Sequence, residues 1–337
     1  MRIAIIGVSH WHAPLYYQPA ARLAGVHIVA VSDPDPSLAT AVGRELEAKP
    51  FVDYRDLLAD ARPEFVFAFG RHCDLPAIAS ALIEEGVPCL IEKPAGLNHE
   101  QVASIRDRAN AKGLHVGTGF NFRVSELYRR IRGLTDDEAV THASFRYIGG
   151  GPYRYREAGC AWMLDPKLSG GGSTINLGIH FVDMFRVFSR SQACEVTSLM
   201  GNFTWQLPIE DYSSMIVRSA GAVCTIETGY TYPAKMGLFD LRFSVRTSRH
   251  YIVARPDDTV EIIRASDGHV EESLATPTSN LFWYPVFVTE SLERARKGLP
   301  PVAGLDDLVE AMRVVDAAYA SNRAGGQRVL VGARDGA

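Results

Sequence analysis

Two short stretches of this chain carry residues able to move a proton. Residues 170–183 read GGGSTINLGIHFVD, and their polar members Asn176 and His180 lie four apart. That spacing stacks two side chains on one face of an α-helix. Histidine titrates near neutrality, so His180 beside a hydrogen-bonding amide suits general acid–base work. A buried amphipathic helix with two satisfied polar residues would give the same pattern, and the second stretch tips the balance. There residues 87–91 form a short apolar run, followed by Glu92, Lys93 and Pro94. Open α/β sheets place their ligands beyond the carboxyl ends of such buried strands. Pro94 restricts the backbone of Lys93, so the ammonium is held rather than mobile.

Elements in the right order must bring those residues to a strand end and a helix face. Residues 2–6, 26–31, 65–69, 88–91 and 115–117 read as short apolar strands, with helical patterns near 13–23, 36–47, 75–85 and 99–112. The alternation predicts βαβ units and a doubly wound parallel sheet. Beyond residue 122 the rhythm changes. Residues 143–148, 195–203, 212–219, 223–230, 239–247, 251–254 and 259–263 read as longer strands with few helices between them. This predicts a large, mostly antiparallel open sheet, with the glycine triplets at 149–151 and 170–172 as loops. A helix over 305–321 closes the chain, with Asp306 and Asp307 in its first turn and Arg323 beyond its end, as the helix dipole prefers. The class is α/β, with a dinucleotide-binding domain over 1–121 and a second α/β domain over 122–337.

The first strand runs into Gly7-Val8-Ser9-His10-Trp11-His12. A dinucleotide fingerprint has glycine at the third position and glycine or alanine at the sixth, where Ser9 and His12 stand here. Gly7 keeps the tight turn, the Ser9 hydroxyl can donate to a phosphate, and His10 or His12 can supply a ring N–H. Asp33 ends the second strand 26 residues after Gly7. A carboxylate there accepts from ribose hydroxyls and repels a 2′-phosphate, which favours NAD over NADP. Ser-Asp-Pro-Asp-Pro is also strong turn chemistry. His10 and His12 fall short of a metal site without further ligands, and no metal is expected.

Composition narrows the class. The chain has 337 residues, 47% hydrophobic and 22% charged, as a soluble two-domain protein would. A net charge of −4 leaves no basic footprint for nucleic acid. Apolar runs reach only about ten residues, too short to span a bilayer. The first strand begins at Arg2, which leaves no room for a signal peptide. Five cysteines, odd in number and without Cys-x-x-Cys spacing, point to a reducing cytoplasm.

In order and spacing, Glu92-Lys93-Pro94 and the glycine-rich stretch ending Gly178-x-His180-x-x-Asp183 resemble the Gfo/Idh/MocA family of nicotinamide-dependent oxidoreductases. Arg123, Trp162, Asp165, Glu210-Asp211 and the closing helix before Gly326-Gln327-Arg328-Val329 extend the resemblance nearly end to end. It implies a Rossmann domain followed by an α/β domain whose open sheet joins copies into a homodimer or homotetramer. It implies hydride transfer between NAD(H) and a CH–OH group of a sugar, polyol or inositol-like compound. Lys93 then polarises the substrate oxygen and His180 exchanges its proton. The family usually carries Asp where Asn176 stands. An amide cannot hold a proton or charge, so the role of Asn176 is positional. Gly70, Arg71 and Glu92 join Gly7, Ser9, His10, His12, Asp33 and Lys93 as cofactor contacts. The Gly70-Arg71-His72 exit replaces the family's Thr-Pro, and Leu75 stands where the family has His, so Arg71 or His72 is left to replace a lost contact. Asn121, Arg123, Trp162 and Asp165 are the further substrate contacts, and Tyr153-Arg154-Tyr155-Arg156 reads as a loop able to fold over the cleft. Trp162 as core and Arg123 as an ion pair are the structural alternatives. Other family activities also fit the residues: a silent NAD-binding sensor, or transient oxidation in service of elimination or glycoside cleavage.

Overall fold

The computed structural model describes residues 1–233, 239–255 and 257–332. They gather into two compact units that interleave along the chain. The first holds Met1–Asn121, Tyr155–Gly170 and Leu281–Val309; the second holds Phe122–Arg154, Gly171–Asn280 and Glu310–Ala337.

The first unit is built on six parallel strands: β1 (Arg2–Ile6), β2 (His27–Ser32), β3 (Lys49–Phe51), β4 (Phe65–Ala68), β5 (Cys89–Ile91) and β6 (Val116–Thr118). Their spatial order is β3-β2-β1-β4-β5-β6, so the connections reverse direction between β1 and β4. The crevice outside the carboxyl ends of those two strands is where doubly wound sheets bind ligands. The central strands are apolar on both faces because helices cover both. Ile3, Ala4, Ile5, Val66 and Phe67 are fully buried. The helices Pro36–Glu45 and His99–Ala111 begin at Asp35 and Asn98, whose side chains accept from the first free N–H groups. β3 and the helix Tyr54–Ala61 were not foreseen. β3 is a three-residue Lys-Pro-Phe edge strand, too short to show periodicity. The helix Tyr284–Arg296 was also missed, and it packs Tyr284 and Phe287 on Tyr16.

Among its described residues the second unit carries nine strands: β7 (Val140–Gly150), β8 (Ala193–Gly201), β9 (Tyr212–Ser219), β10 (Val223–Tyr232), β11 (Asp240–Thr247), β12 (His250–Ala254), β13 (Thr259–Arg264), β14 (Val270–Ala275) and β15 (Val329–Leu330). They run in the order β14-β13-β12-β11-β7-β10-β9-β8-β15. Every pairing is antiparallel except β7 with β10. Period-two patterning decides which face is inside: Ser213, Met215 and Val217 of β9 are buried while Ile216 and Arg218 are exposed. Against the buried face lies the helix Ile179–Ser189, with Phe181 stacked on Phe145 at 5.5 Å. Two local expectations change here. Gly149 and Gly150 are not a loop but the end of β7, where Gly150 pairs with Tyr232. Thr174–Gly178 is a π-helical turn, not α-helix, and leads into Ile179–Ser189. The methyl of Met215 packs against Gly178 so closely that a Cβ there would lie 2.9 Å from it. No helix among the described residues is long and apolar enough to cross a membrane.

Candidate functional site

In the first unit the β1 exit passes hard against the end of β4. Gly7 has φ of +79°, and a Cβ on it would lie 2.4 Å from the carbonyl oxygen of Phe69. Glycine alone fits that turn. Ser9 N–H donates to Asp33 Oδ2 at 2.7 Å, and Asp35 N–H donates to Asp33 Oδ1 at 3.0 Å. Asp33 therefore does make the turn contacts that its sequence context suggested, and it also fastens the loop to the end of β2. Two backbone donors occupy about half the lone-pair positions of a carboxylate.

Beyond β5 lies a buried polar cluster. Glu92 and Lys93 are 1% and 2% exposed. Glu92 Oε1 stands 3.1 Å from His12 Nδ1, and Glu92 Oε2 accepts from the Tyr16 hydroxyl at 2.8 Å. Burial pushes the Glu92 carboxyl up despite the opposing charge of Lys93, and pushes the Tyr16 phenol well above its usual value. Burial pulls the Lys93 ammonium down to about 8, with Glu92 opposing the change. His10 is buried too, its ring stacked on Phe69 at 5.7 Å. Burial, reinforced by His12, holds its imidazole well below the ordinary value.

After β4, Gly70 leads into Arg71, whose guanidinium pairs with Asp74 at 2.6 Å on a half-exposed surface. His72 turns inward instead. Its Nδ1 lies 2.6 Å from the Ser169 carbonyl oxygen, and burial pulls its ring down to about 3. Cys73 N–H donates to the Leu168 carbonyl, and the Cys160 thiol donates to the Ser9 carbonyl at 3.2 Å. The segment 160–170 is thus tied to both ligand-side loops of this unit. Trp162 packs against His10 and His72, while the Asp165 carboxylate caps the helix Pro166–Ser169. Asn121 is fully buried.

In the second unit, the carboxylate of Glu210 organises the glycine stretch. It accepts from Gly172 N–H, Thr174 N–H and the Tyr319 hydroxyl at 2.8, 2.9 and 2.8 Å. A Cβ on Gly172 would lie 2.0 Å from the Glu210 carbonyl oxygen, which excludes any larger residue. The π turn that follows carries Asn176, whose amide donates to the Tyr230 hydroxyl at 3.0 Å. His180 opens the α-helix, 5% exposed, with the Phe122 ring edge-on at 5.6 Å. Arg123 grips Asp183 with two hydrogen bonds of 2.9 and 2.5 Å, so the ion-pair alternative is realised. The 153–156 run is not an open loop: Tyr155 is buried, and Arg154 lies over the Tyr230 ring at 5.1 Å.

Tyr16 and Tyr230 were missed as neighbours of these groups. His12 and Tyr16 are four apart at the start of one helix and reach the two oxygens of one carboxylate, a spacing that could have marked Tyr16. Tyr230 carried no such signal, since it lies on a strand 54 residues from Asn176.

A parallel sheet with a glycine turn at its switch point is the architecture of dinucleotide-binding domains. Residues 1–120 match the oxidoreductase family with an NAD-binding Rossmann fold, and residues 138–253 match the Gfo/Idh/MocA C-terminal domain. The chain belongs to the Gfo/Idh/MocA oxidoreductase family. It is 27% identical over 206 residues to UDP-N-acetylglucosamine 3-dehydrogenase of Acidithiobacillus ferrooxidans, covering 59% of this chain and 58% of that one. The match therefore spans less than two thirds of that relative. Among solved structures, GenD2 from gentamicin A biosynthesis, in complex with NAD, superposes with a TM-score of 0.84 at 20% identity, covering 99% of this chain and 97% of that one. An inositol dehydrogenase homolog from Azotobacter vinelandii, complexed with NAD+, gives 0.83 at 18% identity, covering 98% and 97%. These two likenesses are of fold.

Proposed function

We propose that the protein is an NAD(H)-dependent dehydrogenase of a CH–OH group in a sugar, polyol or inositol-like substrate. The observation that carries this reading is Lys93: a buried lysine with its pKa drawn to about 8, at the carboxyl end of a central parallel strand. Structural lysines are seldom buried, and a perturbed lysine in a binding crevice is a mark of catalytic use. NAD fits the residues present. The Gly7 turn leaves room for close approach to the loop backbone, and Asp33 retains lone pairs for ribose hydroxyls. Gly7, Ser9, Asp33 and Gly70 would hold it, and when bound it supplies the hydride acceptor. Asp33 favours NAD over NADP because its charge opposes a 2′-phosphate.

Lys93 orients the substrate oxygen and stabilises the negative charge that develops on it. His180 takes the hydroxyl proton in oxidation and returns it in reduction. Asn176, held by Tyr230, keeps an uncharged amide on the turn that leads into the helix of His180. The test is turnover with NAD and a panel of sugars and polyols, and with NADH and keto-sugars, followed at the nicotinamide band. Wild type should turn over a member of the panel, and Lys93→Ala and His180→Ala should not. Turnover that both variants retain would remove these residues from the chemistry. Product formed without net NADH would favour elimination instead. We also propose that copies associate through the open sheet; light scattering should give a mass above that of one chain, and a charge placed on the exposed face at Ile216→Glu should lower it.

A further inference from the structure

Two buried imidazoles of the first unit present opposite hydrogen-bonding faces. His10 Nδ1 lies 3.1 Å from the backbone nitrogen of His12. A backbone N–H only donates, so Nδ1 carries the lone pair and the neutral ring holds its proton on Nε2. That Nε2–H is buried and has no hydrogen-bond partner among the described residues, a cost that native structures seldom bear without a reason. His72 is the reverse. Its Nδ1 lies 2.6 Å from the Ser169 carbonyl oxygen, which only accepts, so Nδ1 holds the proton and Nε2 carries the lone pair. The Trp162 ring packs against both, 5.7 Å from His10 and 5.0 Å from His72. Burial keeps both rings neutral through the working pH range.

We propose that His10 and His72 recognise one hydroxyl group of the substrate, His10 Nε2–H donating to its oxygen and His72 Nε2 accepting its proton, with Trp162 as the wall. The assignment rests on the dehydrogenase reading. A hydroxyl both donates and accepts, as this pair requires, whereas an ionised pyrophosphate only accepts and would face the His72 lone pair. Trp162 adds an apolar surface of the kind that covers the C–H face of a sugar ring. His10 thereby leaves the pyrophosphate contacts and becomes a specificity residue, and the NADH measurement below separates a substrate hydroxyl from a ribose hydroxyl of the dinucleotide. The two imidazoles lie 62 residues apart in sequence, and the opposite tautomers are visible only once their Nδ1 partners are known.

Nitrogen NMR of the histidine-labelled protein, assigned with His10→Gln and His72→Gln, should show two neutral rings of opposite tautomer between pH 6 and 8. Matching tautomers would overturn the pair. On a substrate that wild type oxidises, analogues lacking one hydroxyl at a time should single out one position. Its loss should lower kcat/KM on the order of 100-fold in wild type. In His10→Phe and in His72→Phe that same deletion should cost clearly less than in wild type, since one of the two contacts is already gone. NADH affinity, read from nicotinamide fluorescence, should be unchanged in both variants. A loss of NADH affinity with the hydroxyl penalty intact would assign the imidazoles to the dinucleotide and overturn the inference alone. Failure of wild type to oxidise any sugar or polyol would overturn the dehydrogenase reading and this inference with it.

Discussion

His12–Glu92 in the first unit and His250–Glu138 in the second are the same two groups at nearly the same separation, 3.1 and 2.9 Å. Their carboxyls nevertheless move in opposite directions. Burial raises Glu92, and Lys93, His10, the Tyr16 hydroxyl and His72 do not offset it. Burial also pushes Glu138 upward, but hydrogen bonds from Thr247 and His250 and the charges of His250 and Arg249 outweigh it, and the net change is downward. The second pair continues into a network: His250 Nε2 reaches Glu271 at 2.9 Å, and Glu271 is held by Arg264. Distance to a histidine therefore does not set the state of a buried carboxylate. The balance between burial and the donors and charges that oppose it does. A cluster in which burial still wins is strained electrostatically, and proteins keep such strain where they bind or react.

The largest expected effect lies at Lys93. Replacing it with the apolar Lys93→Met should lower kcat by roughly 1,000-fold, the scale of a lost charge-stabilising group. The same change should make the protein more stable at pH 7. The folded pKa, about 8, lies below the ordinary lysine value of 10.5, so the ammonium opposes folding wherever pH is below both. That opposition fades as pH rises from about 8 to 10.5, and the advantage of the variant in urea denaturation should fade with it. A variant less stable than wild type at pH 7 would mean that burial is not the dominant influence on this cluster.

The contrast also explains how much could be read in advance. β1 and β9 were legible because their apolar residues fill or alternate along a strand, and Lys93 was legible because a strand end followed by proline fixes its place. The partners of Glu92 were not, since His12 and Tyr16 precede it by 80 and 76 residues and only the sheet brings them together. Asn176 and His180 were legible as a pair of polar positions, but the π turn was not, because residues four apart read as α-helix. Met215 packs against Gly178, the last residue of that turn, a contact that no spacing encodes.

Each oxygen of Asp33 accepts from a backbone donor. Asp33→Ser with Pro34→Arg should move cofactor preference toward NADP by about 1–3 kcal/mol, measured as the ratio of kcat/KM for the two nucleotides. Because the change also frees Ser9 N–H, the Michaelis constant for NAD should rise even where NADP gains nothing. A wild type that already prefers NADP would remove Asp33 from the cofactor site.

Glu138 and Glu92 should respond to acid in opposite senses. Glu138→Gln should cost ~1–2 kcal/mol at pH 7. Because the folded pKa of Glu138 lies below the ordinary glutamate value of 4.5, that deficit should vanish as pH falls through the folded pKa. Glu92 is raised, so its carboxylate opposes folding above its folded pKa and ceases to do so as pH falls toward 4.5. Glu92→Gln should therefore gain on wild type at pH 7 and lose the gain in acid. Parallel pH profiles for the two variants, followed by chemical denaturation, would erase the difference between the units.

The smallest effect probes whether the answered groups of the second unit tolerate a new charge. Asn176 donates to the Tyr230 hydroxyl, which fixes the amide on the turn before His180. In Asn176→Asp, Tyr230 can donate to the new carboxylate instead, so the fold should hold. A carboxylate within about 4–6 Å of the His180 imidazole favours its protonated form. With His180 as the proposed proton acceptor, oxidation needs its ring neutral, so the rising limb of the pH–rate profile should move upward by up to about one unit. Asn176→Ala should lower turnover and leave the limb where it is, because it removes position without adding charge. Tyr230→Phe should behave like Asn176→Ala, since it releases the amide and introduces no charge. If the limb stays fixed in Asn176→Asp while turnover persists, residue 176 does not act on His180, and the acid–base group is not coupled to it.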